Sequence, residues 1–423
     1  MVNFMITNNS GPADFRAVYV YGPAHQQLKP VGYYTDLFRN TVTFPLKAAI
    51  FPAASWLSAV EMDLVEKNIA QLETAGGKSL TLVTPDGGEI NGMHIKASDF
   101  KANCEKYYNL VVVEEKDGTK SQYLTIKEEF CTVKEEKDLM DDHLRKILVP
   151  NQEAEKFVKT VHSLGISYTQ GEFPSKAGLY GSVINLGKAP PPDVPDLAPD
   201  LRGSSPTAII VGGSGMTYAG YKGLAASYLL RGMNVLMVDF RGYGASKGTP
   251  TDDKTKMDLE TAYQYLHQKE HVKNEDIVVH GHCLGGGPAS DLAARREGVN
   301  VILDRTFADY REVLRERLPW IGAIVATALP AVVNYNVAEN VGKMKGHIAI
   351  AMDIKDGTIS ETQSYGQINS LPEPKTRQGD EKAKVYKLID SNRGHTGLWT
   401  DNARTAAQFT NFLEQSNLRR KLF

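Results

Sequence analysis

The sequence predicts an α/β fold: a mostly parallel, twisted sheet with helices on both faces. Two observations in the C-terminal half carry this. Six short β-branched or apolar runs (208–211, 235–240, 277–280, 299–303, 348–352 and 385–389) are interspersed with five segments (221–230, 256–268, 289–296, 310–317 and 402–414) whose apolar residues fall three and four apart. That is the pattern of strands alternating with amphipathic helices. The runs are also apolar nearly throughout, as strands covered on both faces are. On such a sheet, functional groups collect at the carboxyl ends of the strands.

The N-terminal half is read element by element. Residues 79–83 and 89–95 flank Pro85-Asp86-Gly87-Gly88, a hairpin signal, and 110–114 and 123–127 flank Lys116-Asp117-Gly118, a second one. Segments 62–72 and 153–164 read as helices. A stretch rich in proline, glycine and aspartate, GKAPPPDVPDLAPDLRGSSP at 187–206, has no periodicity and reads as an extended linker. Residues 1–186 are therefore an N-terminal α+β extension and 207–423 a core.

Composition excludes several function classes. The 423 residues carry a formal net charge of −2, which gives no global attraction to nucleic acid or anionic membrane. Cysteines 104, 131 and 283 lie far apart, with neither metal-ligand nor redox spacing, so no metal, cofactor or disulfide framework is expected. The start, MVNFMITNNSGPADF, shows no basic segment followed by an apolar one, and a cytoplasmic location is expected, with signal-independent export left open. Residues 318–333, LPWIGAIVATALPAVV, are uncharged but shorter than the roughly 20 residues of a membrane span. They read as a buried or cap helix, with peripheral membrane contact as the alternative.

The chemistry concentrates at IVVHGHCLGGG, residues 277–287. An apolar strand runs into Gly281-His282-Cys283-Leu284-Gly285, and a helix follows. A nucleophile on a sharp strand-to-helix turn needs small residues on either side to relieve backbone crowding. The helix start also favours negative charge, which suits a thiolate. Alone, a cysteine after a strand is more often packing than chemistry; the glycine spacing and the strand–helix context favour the nucleophile.

A nucleophile needs a base, an orienting acid and oxyanion donors. His280 and His282 adjoin Cys283 in sequence but project elsewhere. His395, in the loop after the last strand, is the expected base. The acid is expected after strand 348–352, where Asp356 precedes a Gly-Thr-Ile turn; Asp353 and Asp304 are the alternatives. The oxyanion donors are expected to be the amide of Leu284 and one from the glycine loop 211–216, Ser214 first and Gly213 next. The loop 239–246, DFRGYGAS, reads as scaffold with Arg241 paired internally, with a contribution to one wall of the pocket as the alternative.

Taken in order, IIVGGSGM, NVLMVDFRGYGASKG, IVVHGHCLGGG, VILDRTFADY, MDIKDGTIS and NRGHTGLW resemble the α/β-hydrolase superfamily, in its lipase, thioesterase and peptidase-like branches, across 207–423. TLVTPDGGEINGMHI resembles the first hairpin of such enzymes. This places strands of 78–96 in the same sheet, makes 97–180 an insertion, and leaves 1–77 unexplained. Segment 318–333 falls where these enzymes insert a cap. Two departures stand out: Gly212 where most members have histidine, and Cys283 where most have serine. Dienelactone hydrolases and polyhydroxyalkanoate synthases are similar in placing cysteine in that turn. The resemblance implies an acyl-ester or thioester hydrolase working through a covalent acyl-enzyme, on a small-molecule or lipid acyl substrate. Three alternatives stay open: an acyltransferase, a non-catalytic binding module, and a cysteine substituted for a natural serine. A protein partner for the N-terminal region is a further expectation.

Overall fold

In a computed structural model, the structure describes residues 17–20, 59–137, 144–166, 168–197, 205–317, 335–371, 386–390, 393–398, 400 and 402–423. In chain order the N-terminal elements are β1 (Ala17–Val20), α1 (Ala59–Thr74), β2 (Gly77–Val83), β3 (Glu89–Ile95), α2 (Ala97–Tyr107), β4 (Tyr108–Glu114), β5 (Lys120–Ile126), β6 (Cys131–Lys137), β7 (Leu144–Pro150), α3 (Gln152–Ser163), β8 (Tyr168–Phe173) and β9 (Lys176–Lys188). The C-terminal half continues with β10 (Thr207–Val211), α4 (Lys222–Leu229), β11 (Asn234–Val238), α5 (Asp252–Gln264), β12 (Ile277–His282), α6 (Gly286–Arg295) and β13 (Asn300–Asp304). It ends with α7 (Tyr310–Arg317), α8 (Val337–Val341), β14 (Ile348–Met352), α9 (Glu361–Ile368), β15 (Tyr386–Asp390) and α10 (Ala403–Gln415).

The main sheet has nine strands in the order β1-β2-β3-β11-β10-β12-β13-β14-β15. Strands β10 to β15 are mutually parallel, whereas β3 is antiparallel to both β2 and β11. The 79–95 hairpin thus lies in this sheet beside β11. Strand alternation sorts the core. Ala208, Ile210, Val235 and Met237 pack on one face with helices α2, α3, α4 and α10. Ile209, Val211, Leu236 and Val238 pack on the other with α5, α6 and α8. Both faces are covered, which is why these strands carry no polar alternation.

The order reverses at β10: its successor β11 lies on one side and β12 on the other. Such a switch point opens a crevice at the carboxyl ends of the strands. The glycine loop after β10 and the cysteine turn after β12 both lie at it.

Residues 108–188 build a second, six-stranded sheet, ordered β4-β5-β9-β7-β6 with β8 on β9. It extends beyond the expected insertion 97–180, because β9 continues to Lys188 against β5. The expected linker therefore begins inside a strand. Farther along it is tied to the C-terminus: Leu197 donates to the Lys421 carbonyl (3.0 Å) and Lys421 to that of Pro195 (2.8 Å). Segment 318–333, most of 1–77 and residues 198–204 lie outside the described residues. Helix α5 starts earlier than expected, at Asp252, because the Thr251 side chain caps it by accepting from Lys254 N.

Candidate active site

All six residues of β12 are buried, and the chain turns at Cys283 with φ +51°. A non-glycine residue is uncommon there, and such strain persists only where its surroundings hold it. Two glycines permit the turn. A Cβ at Gly281 would lie 2.6 Å from the Gly285 carbonyl oxygen and 2.7 Å from Ala289 Cβ. A Cβ at Gly285 would lie 2.5 Å from the Val211 carbonyl oxygen. Helix α6 can therefore begin hard against β12 and β10. Thr306 Oγ1 donates to the Cys283 carbonyl (2.5 Å) and holds the turn from β13's side.

His395 follows β15 and stands close enough to Cys283 for the cysteine to favour charge on its ring. Its Nδ1 lies 2.8 Å from Asp356 Oδ2. The other Asp356 oxygen accepts from the backbone N–H groups of Thr358 (2.7 Å) and Ile359 (2.9 Å). The Gly-Thr-Ile turn thus fixes the carboxylate and leaves one oxygen for the imidazole. Burial opposes charge on His395, but Asp356 and Cys283 outweigh it and raise the ring to about 9. Burial likewise opposes charge on Asp356, yet His395 and the two amides hold its carboxyl below the usual range.

The two alternative acids hold the His395 loop instead. Asp353 accepts from the backbone of Arg393 and of Gly394 (2.7 Å to the latter). Asp304 pairs with Arg305 and with His280 Nε2 (3.2 Å). Arg305 in turn donates to the carbonyls of Gly394 (2.6 Å) and Gly397 (2.8 Å). Sequence reasoning missed Arg305; the only signal was its position directly after a strand, in a segment of the superfamily pattern. It also missed His282, whose Nε2 lies 2.8 Å from the His395 carbonyl oxygen.

Of the three expected oxyanion donors, Gly213 is otherwise engaged. Its N–H donates to Tyr221 Oη (2.9 Å), although a Cβ at this position would lie 3.0 Å from Cys283 Cβ. The Ser214 N–H donates to no described group. Leu284 stands in the first turn after Cys283, where helical N–H groups lack intrahelical acceptors.

In the 239–246 loop, Arg241 is paired internally, as expected. Arg241 is bound to Asp258 through Nε (2.8 Å) and Nη2 (2.6 Å), and to Asp86 of the first hairpin through Nη1 (2.6 Å). Asp239 accepts from Tyr218 N (2.6 Å) and so joins this loop to the turn that follows the glycine loop; burial pushes its carboxyl up to about 8. Among the described residues, no cluster of His, Cys, Asp or Glu is arranged to hold a metal ion. No helix among them is long and apolar enough to cross a membrane.

A family model for the alpha/beta hydrolase fold matches residues 209–346. A solved alpha-beta hydrolase from Vibrio vulnificus superposes with a TM-score of 0.50 at 14% identity, over 96% of this chain and 99% of its own. The chain has the α/β-hydrolase fold. Among curated proteins, Escherichia coli YfhR is 36% identical over 98 residues, and Schizosaccharomyces pombe Protein bem46 is 33% identical over 101. These matches span 22% and 23% of this chain, and it covers 34% of the length of each relative. On the α/β-hydrolase scaffold, β10 and β12 carry the two loops that converge on Cys283, and the loops after β14 and β15 carry Asp356 and His395.

Proposed function

We propose that this protein is an acyl-ester or thioester hydrolase acting through a covalent acyl-enzyme on Cys283. One observation carries the reading: a cysteine on a left-handed elbow stands close enough to His395 to raise its ring, and the Nδ1 of that ring lies 2.8 Å from a buried carboxylate. In this mechanism His395 takes the thiol proton. Cys283 Sγ attacks the acyl carbonyl, and the Leu284 and Ser214 amides receive the developing oxyanion. The imidazolium then protonates the leaving alkoxide or thiolate as the acyl–oxygen or acyl–sulfur bond breaks, giving a thioester on Cys283. His395 next removes a proton from water, which attacks the thioester and releases the acid and the thiol. Asp356 holds the ring tautomer and stabilises the imidazolium throughout.

The cysteine bears on substrate class. A thiolate is itself a good leaving group, so the tetrahedral intermediate expels an amine poorly. Thioesters and activated esters are therefore the proposed substrates. An acceptor other than water would make the same acyl-enzyme a transferase. The fold, and its sharing with a protein named as a hydrolase, supports the hydrolytic reading.

Turnover of p-nitrophenyl esters and acyl thioesters by the full chain tests it. Cys283→Ala should abolish turnover, and His395→Ala should reduce it by orders of magnitude. Undiminished turnover in a folded Cys283→Ala variant would sink the proposal.

A further inference from the structure

One buried hydrogen-bonded chain joins the two loops that face Cys283 from opposite sides. We infer that His282 and Tyr221 form a tether with a single proton order that positions His395 and the Gly213–Ser214 loop against the cysteine. The inference rests on the acyl-transfer reading for its purpose, but not for its geometry.

The proton order follows from the two ends. Gly213 N–H can only donate, and it donates to Tyr221 Oη (2.9 Å). The Tyr221 hydroxyl proton is then directed to His282 Nδ1, 2.8 Å away. His282 Nε2 must carry the ring proton, because its partner, the His395 carbonyl oxygen at 2.8 Å, can only accept. A protonated His282 would put a proton on Nδ1 as well and leave the buried tyrosine hydroxyl hydrogen without its acceptor. Burial keeps both groups neutral: it lowers His282 to about 4 and raises Tyr221 well above its ordinary value. The rings pack along the same path, with centroids 5.7 Å apart for Tyr221–His282 and 5.0 Å for His282–His395.

A separate observation concerns Gly212, the position where the superfamily pattern has histidine. A Cβ there would lie 2.5 Å from Tyr221 Cε2. The glycine is what makes room for the Tyr221 ring, so this departure and the tether are one feature. The tether also explains why Gly213 N–H is unavailable to a substrate, leaving the oxyanion to Ser214 and Leu284. Asp353 and Arg305 hold the neighbours of His395. His282 holds the backbone of His395 itself and links it to the opposite loop. Both His282 and Tyr221 are therefore positioning residues.

Two readouts on the full chain need no turnover: the NMR titration midpoint of the His395 ring, and the pH profile of Cys283 alkylation by iodoacetamide. They remain informative even if no acyl substrate is ever processed, so failure here is distinct from failure of the hydrolase reading. In His282→Ala, alkylation at pH 7 should slow about tenfold or more, as expected when a reacting pair is misplaced. The His395 midpoint should fall from about 9. His282→Gln, whose amide N–H can reach the same carbonyl, should recover most of the rate, and Tyr221→Phe should show an intermediate loss. A folded His282→Ala with wild-type midpoint and profile would overturn the inference, as would a Gln variant no better than Ala. Should His282→Ala not fold, Tyr221→Phe decides: unchanged values overturn the tether.

Discussion

Replacing Asp356 with asparagine preserves the acid turn and reverses one donor. The Asn oxygen can still accept from Thr358 and Ile359 N–H, as Asp356 Oδ1 does. The amide NH2 then faces His395 Nδ1, which must become an acceptor and give up its proton. His395 stands at about 9 against an ordinary 6.5. At about 1.4 kcal/mol per unit, that gap of roughly 2.5 units corresponds to about 3.5 kcal/mol at most. The ring is partly open to solvent and Cys283 supplies a share, so about 1–2 kcal/mol is the portion assigned to Asp356. The midpoint of His395, followed by NMR, should therefore fall by about 1 unit or more in Asp356→Asn. The sign for stability follows from the raised folded-state value. The contribution is complete below pH about 6.5 and is lost as pH rises through about 9. The wild-type advantage in unfolding free energy should thus be largest near pH 6 and shrink toward pH 10. Acyl turnover should drop by about 10³- to 10⁴-fold, as for a triad left with the wrong tautomer. A folded Asp356→Asn whose His395 midpoint stays within half a unit of wild type, with a stability gap independent of pH, would show that Asp356 does not hold the His395 charge.

Three further substitutions test the scaffold. Gly285→Ala puts a methyl group 2.5 Å from the Val211 carbonyl oxygen, so it should cost about 2 kcal/mol or more and displace the elbow. Urea unfolding and Cys283 alkylation should both register the change. Arg241→Met leaves the fully buried Asp258 without its partner and should cost about 3–5 kcal/mol by urea unfolding. Asp86→Asn should cost under about 1 kcal/mol, because Asp86 is over a third exposed.

The parallel core was legible because its strands are buried on both faces and therefore read as continuous apolar runs. The elbow was legible because close backbone approach demands glycine at 281 and 285, and no other residue type meets that demand. Asp356 was distinguishable from Asp353 only through the turn behind it, whose amides hold one oxygen. The positioning residues were not legible. Tyr221 reaches His282 across 61 positions, and His282 and Arg305 reach the His395 loop across 113 and 89, and nothing in local spacing records such pairings. The extent of the second sheet was missed for a similar reason: β9 is set by its pairing with β5, β7 and β8, whereas its end reads locally as linker.

Intact mass spectrometry of the full chain after brief exposure to acyl thioesters, quenched in acid, detects the acyl-enzyme itself. A mass increase equal to one acyl group is expected, mapped to Cys283 and absent from Cys283→Ala. Consumption of the thioester with no adduct on Cys283, or the same adduct in Cys283→Ala, would contradict an acyl-enzyme on Cys283.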